Sequence, residues 1–147
     1  MKITNEDNME LMSRYEDNYF DLAIVDPPYG IKDKIISGGE TNHKIKLQKS
    51  LEKWDVVPSK EYWKELNRVS KNQIICGGNY FVEYLKHSRG WVVWDKVARN
   101  MWADGELIYT SFNTNLKIFK YSKTNANIND KENLPRIHPT QKPVKLF

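Results

Sequence analysis

Cysteine is almost absent from this 147-residue chain: only Cys76 is present, so no disulfide can form within it. A lone thiol in an apolar stretch reads as inert packing, and the default compartment is a reducing cytoplasm. Ligands for a metal are equally scarce. His43 and His87 have no partners at ligand spacing, and no zinc site is expected. Long hydrophobic runs are missing, so no membrane span and no membrane partner are expected. The opening Met1-Lys2-Ile3-Thr4-Asn5-Glu6-Asp7 lacks the apolar core of a secretion signal. No repeat or low-complexity tract is visible, and the length suits one domain over residues 1–147 with one core. Glycine is sparse, with seven residues and no phosphate-binding loop among them, which places a generic dinucleotide binder far down the ranking.

Against these absences stands a mild excess of positive charge. With 23 Lys and Arg against 19 Asp and Glu, the formal net charge is +4, which is consistent with a polyanionic partner without requiring one. The most informative stretch is the apolar run Phe20-Asp21-Leu22-Ala23-Ile24-Val25, followed at once by Asp26-Pro27-Pro28-Tyr29. The run predicts a strand covered on both faces. The four residues after it would then sit at its carboxyl end, where ligands bind in open α/β sheets. Ionised Asp26 is acceptor-only, and proline keeps its carbonyl, so Asp26 and Pro27 together offer two acceptors for the two N–H groups of an exocyclic amine. Two such bonds draw the amine nitrogen toward a tetrahedral shape and free its lone pair. Pro27 and Pro28 stiffen the backbone so that the acceptors are set in advance. Tyr29 offers a flat face to an extruded base, whose stacking returns roughly 1–3 kcal/mol of the unstacking cost. From the tetrapeptide alone, a strand ending in a proline turn is an equally good reading.

Further along, Asn5 is read as the cap of a helix with Met9, Met12 and Tyr15 on one face. A polar, lysine-rich stretch over residues 31–53 reads as a mobile loop. Its Lys32, Lys34, Lys44 and Lys46 are candidates for DNA phosphate contacts, and a solvated insertion is the competing reading. Ser59 caps a helix presenting Tyr62, Leu66 and Val69; Ile74-Ile75-Cys76 is a buried strand ending at Gly77-Gly78; and Asn79 caps a helix to Leu85. Trp91-Val92-Val93-Trp94 is a third strand, closed by Asp95-Lys96, which reads as a strand-end ion pair. Glu106–Phe112 and Leu116–Tyr121 read as a hairpin about Asn113-Thr114-Asn115. Residues 122–137 read as a loop, and the five tryptophans mostly as core or interface packing. The fold class is therefore α/β, a sheet flanked by helices with a C-terminal hairpin. Parallel strands would gather Asp26, Gly77 and Asp95 on one rim.

Taken in order, Asp26-Pro27-Pro28-Tyr29, Trp54-Asp55, the stretch Gln73–Phe81, Gly90–Lys96, Ala103–Phe112 and Arg136-Ile137-His138-Pro139-Thr140-Gln141-Lys142-Pro143 cover nearly the whole chain. This set resembles the DNA adenine-N6/cytosine-N4 methyltransferases, in the branch often carried by phages and prophages, whose catalytic motif precedes the cofactor motif. The resemblance implies a Rossmann-like methyltransferase sheet, S-adenosylmethionine as cofactor, and methyl transfer to a flipped base of DNA. Asp at position 26 resembles the adenine-directed members. Asp26, Pro27, Pro28 and Tyr29 would be catalytic. Asp26, His138, Thr140, Gln141 and Lys142 would line the cofactor pocket, with Lys142 paired to a carboxylate. The family's glycine-rich cofactor loop, its central strand and the acid that holds the cofactor ribose have no counterpart up to Phe147. The expectation is thus a chain truncated before that loop. It would be an active catalytic portion, a silent remnant that binds DNA weakly or self-associates, or half of a split enzyme completed by a second polypeptide.

Overall fold

The computed structural model describes residues 2–31, 55–97, 103–121 and 142–146. The expected lysines Lys32, Lys34, Lys44 and Lys46, the expected loops over 31–53 and 122–137, and His138, Thr140 and Gln141 fall mostly or wholly outside them. The first element is a short helix α1, Asn8–Ser13. Its cap is Asp7 rather than Asn5. The Asp7 carboxylate accepts from the N–H groups of Met9 and Glu10, at 2.8 and 3.2 Å, and so satisfies two of the donors that a helix start leaves unpaired.

Strand β1, Phe20–Val25, follows, and the chain returns through helix α2, Lys60–Val69, into strand β2, Ser70–Cys76. On α2 the buried Tyr62, Trp63, Leu66 and Val69 form one apolar face. Strands β1 and β2 pair in parallel, from Phe20 opposite Ser70 to Val25 opposite Ile75. After β2 no α-helix forms at Asn79. Two 3-10 turns, Gly78–Tyr80 and Val82–Tyr84, take its place. The break falls at Phe81, which leaves helical geometry with φ −127° and is wholly buried. Burying that ring outweighs continuing a helix from Asn79.

Strands β3, Trp91–Asp95, β4, Gly105–Thr110, and β5, Lys117–Lys120, complete a mixed five-stranded sheet of order β1-β2-β4-β3-β5. Strand β4 is antiparallel to both neighbours, whereas β5 runs parallel to β3. The expected hairpin of the last two strands is therefore corrected: β3 lies between them. Gly90, just before β3, shows how this is possible. A side chain there would overlap the Phe112 carbonyl, so the link from β4 to β5 passes directly over the start of β3. The Gly90 carbonyl also accepts from Thr110 N–H and hydroxyl, at 2.9 and 2.8 Å, which holds the crossing in place.

Each face of the sheet carries its own apolar cluster. Ile75 and Tyr109 pack with α1, α2 and Phe81, while Cys76, Ile108 and Trp94 pack with Phe119, Tyr121 and Leu146 on the other face. Adjacent residues of one strand serve opposite clusters, as period-two alternation requires. Strand β1 departs from the expectation of cover on both faces. It is the outermost strand, and Leu22 and Ile24 are 39% and 48% exposed. Among the described residues no helix is long and apolar enough to cross a membrane.

Candidate active site at the sheet rim

Because β1, β2 and β3 share one direction, Asp26, Gly77 and Asp95 do lie on one rim of the sheet. The reversed strand β4 begins at that same rim, where Glu106 sits opposite Trp94. Glu106 thus enters the site by strand direction alone. It lies within the stretch Ala103–Phe112, but there it reads as a strand start and is given no role of its own.

The turn after β1 is fixed from two sides. Gly30 takes φ +68°, and its N–H donates to the buried Asp55 carboxylate at 2.9 Å. A side chain on Gly30 would meet Val57 Cγ2 at 2.6 Å. Pro27 is buried while Asp26 is exposed, so the turn presents the carboxylate outward. Gly77, at φ +65°, leaves the space that Tyr29 fills. The glycine pair after β2 therefore admits a side chain of this same chain: Gly78 in turn abuts Trp91 and Tyr109.

Lys142 joins this rim from far along the chain. Its Nζ lies 3.0 Å from Asp26 Oδ1 and 3.2 Å from Glu106 Oε2, and donates to the Tyr29 hydroxyl at 3.0 Å. The Tyr29 hydroxyl donates in turn to Asp26 Oδ1, at 3.0 Å. Lys96 closes the far end on Glu106 Oε1, at 2.9 Å. The expected ion pair of Asp95 with Lys96 is thus replaced. Lys96 turns to Glu106, and Asp95 Oδ1 accepts from Val97 N–H at 2.9 Å. The result is an alternating row, Asp26, Lys142, Glu106 and Lys96, of two negative and two positive charges.

Burial by itself would push the Lys142 ammonium toward its neutral form, but the Glu106 and Asp26 carboxylates outweigh it and hold its pKa above the usual lysine range. Burial likewise pushes Glu106 upward, and here Lys142 and Lys96 win and hold it below the usual carboxylate range. The Tyr29 phenol is raised well above its ordinary value by burial and by the Glu106 and Asp26 charges, so it remains a hydrogen-bond donor. Cys76 beneath the rim is pushed up to about 12, chiefly by burial, and stays a thiol.

The Tyr29 ring is less open than its sequence position suggests. Tyr80 stacks on it with centroids 4.8 Å apart and planes 17° from parallel, and Phe81 meets it edge-on at 5.9 Å. Tyr80 itself is 41% exposed, so it supplies the outward aromatic surface of the rim. Its place four residues past the end of β2 is visible in the sequence, but its stacking on Tyr29 is a contact between distant segments. Among the described residues no group of three or more His, Cys, Asp or Glu side chains is arranged to hold a metal ion. No known protein-family model matches the chain, and no curated protein matches it.

Proposed function

We propose that this chain is an S-adenosylmethionine-dependent DNA methyltransferase, or its catalytic portion, acting on the N6 amine of a flipped adenine. The observation that carries this reading is the state of Asp26. Its Oδ1 is engaged by the Tyr29 hydroxyl and by Lys142, while the residue is exposed at the carboxyl end of β1. A carboxylate fixed on one oxygen and open on the other suits acceptance of one amine N–H, and the adjacent Pro27 carbonyl is the candidate for the second. Aromatic rings beside it suit a planar base. The lysines of residues 31–53 and the net charge of +4 favour a polyanionic partner.

The described residues fit the cofactor only in part. The space beside Gly77 and Gly78 is filled by Tyr29, Trp91 and Tyr109, so these glycines form no cradle for it. Lys142, assigned to the cofactor wall by the resemblance, is saturated by rim partners. The test is transfer of a labelled methyl group from S-adenosylmethionine to adenine-containing DNA, with Asp26→Ala beside the parent chain. Loss of at least about a hundredfold is expected from removing an oriented group of this kind. Transfer that survives Asp26→Ala would reject the role given to Asp26.

A second reading is favoured by β1, an edge strand that leaves Leu22 and Ile24 exposed on one face. In this reading the chain acts as one part of an assembly, silent until a second copy or another polypeptide covers that edge. Methyl transfer appearing only on addition of a second polypeptide would select it.

A further inference from the structure

Glu106 holds the key to how the open oxygen of Asp26 stays open. An ammonium has three donors and no acceptor. Three acceptors surround Lys142 Nζ: Asp26 Oδ1 at 3.0 Å, the Tyr29 hydroxyl at 3.0 Å and Glu106 Oε2 at 3.2 Å. The Tyr29 hydroxyl accepts from it, the Asp26 and Glu106 carboxylates hold it by charge, and the Lys142 side chain is only 6% exposed, so water does not compete freely for it. Both groups that reach Asp26 use Oδ1, and no described side chain reaches its other oxygen.

We propose that Glu106 is a positioning residue that draws Lys142 to one side of Asp26, leaving Asp26 Oδ2 free to accept the amino group of an incoming base. Without the Glu106 carboxylate, Lys142 loses the charge that draws it toward β4, and the unused Oδ2 belongs to the same Asp26 carboxylate whose Oδ1 it already holds. Lys142 would then straddle both oxygens and block the amine. The same carboxylate needs Lys96, because Glu106 Oε2 is buried without a well-aligned hydrogen bond and is held by charge alone. Lys96 on Oε1 offsets that second negative charge. The groups facing Lys142 are Asp26 and Tyr29 from the turn after β1, Cys76 from β2 and Glu106 from β4, with Lys96 behind Glu106.

The inference rests on Asp26 being the amine acceptor, and its test separates the two claims. Lys142 is acetylated competitively with acetic anhydride across pH in the parent chain, in Glu106→Gln and in Glu106→Asp, and the product is read by peptide mass spectrometry. In parallel, binding is measured to a short single-stranded oligodeoxynucleotide carrying one adenine, and to the same strand carrying purine, which lacks the exocyclic amine. Glu106→Gln is expected to lower the labelling midpoint of Lys142 by about one pH unit, a tenfold gain in free amine below it. It should also erase the preference for adenine over purine, with Glu106→Asp restoring part of both. An unmoved midpoint would overturn the inference. So would equal weakening of adenine and purine strands, which marks general damage to the rim. A parent chain with no preference for adenine would reject the reading of Asp26 as amine acceptor, and the inference that Glu106 keeps Oδ2 open for that amine would fall with it, whatever the labelling showed. If Glu106→Gln does not fold, Glu106→Asp decides by the same two readings at smaller amplitude.

Discussion

Gly77 illustrates how much of the site hangs on single residues. Its φ of +65° lies in the left-handed region, and a side chain there would overlap the Tyr29 ring. An L-residue in that region costs about 1–2 kcal/mol, and forcing a packed ring aside costs about 1–3 kcal/mol more. Gly77→Ala is expected to lose roughly 2 kcal/mol or more in urea unfolding and to detach Tyr29 from Asp26. Unchanged stability would mean that the ring yields without cost. Val97 is the opposite case, a β-branched residue held at φ +62° beside the Asp95 turn. Val97→Asn, which tolerates that region better, should raise the melting temperature by a few degrees for about 1 kcal/mol relieved. A lower melting temperature would show that the exposed valine contributes contacts worth more than its strain. At this scale the motifs single out Asp26, Tyr29 and Lys142 as candidates, whereas Glu106, although inside the stretch Ala103–Phe112, receives no role from it. An acidic residue at a strand start has no distinguishing context until strand direction is known.

At the scale of elements, both edge strands expose apolar side chains, and they differ in the charge beside them. Strand β5 is short, and its 62% exposed Ile118 lies between exposed Lys117 and Lys120, a common defence against edge pairing. Strand β1 has six residues and leaves apolar Leu22 and Ile24 exposed. An edge of this second sort invites another strand. Replacing Leu22 and Ile24 together by lysine should reduce self-association at high concentration, measured by light scattering on a sizing column. A parent chain that is already a clean monomer at millimolar concentration would contradict this view of β1. The helix α2 and strands β2 and β3 follow from apolar spacing, because each turns apolar residues into the core, whereas β1 follows from its apolar run although none of its residues is fully buried. The hairpin expectation failed because strand order is non-local: the choice between pairing β5 with β4 or with β3 depends on the bare surface of Gly90 under the crossing link. The expected helix at Asn79 failed because the anchor of that segment is the burial of Phe81.

For the molecule as a whole, the rim charges predict a defined pH window of stability. Glu106 is held below its ordinary range, so its contribution is complete above the unfolded carboxylate value of about 4.3 and is lost as pH falls through its lowered folded value. Lys142 is held above its ordinary range, so its contribution is complete below about 10.4 and is lost as pH rises through its raised folded value. The difference in melting temperature between the parent chain and Glu106→Gln should therefore be flat near neutrality and shrink in acid below about pH 4. A difference that grows on acidification would contradict the ion contacts at the rim. The sequence by itself determined the α/β class, the buried faces of its helix and inner strands, and the placement of Asp26 at a strand end, because these depend on local spacing and backbone stiffness. Only the tertiary structure decided that β4 runs backward into the rim, that Lys142 meets Asp26 and Glu106, and that Tyr80 covers Tyr29. Those contacts join residues far apart in the chain, and their partners are selected by strand direction and burial, which no local pattern encodes.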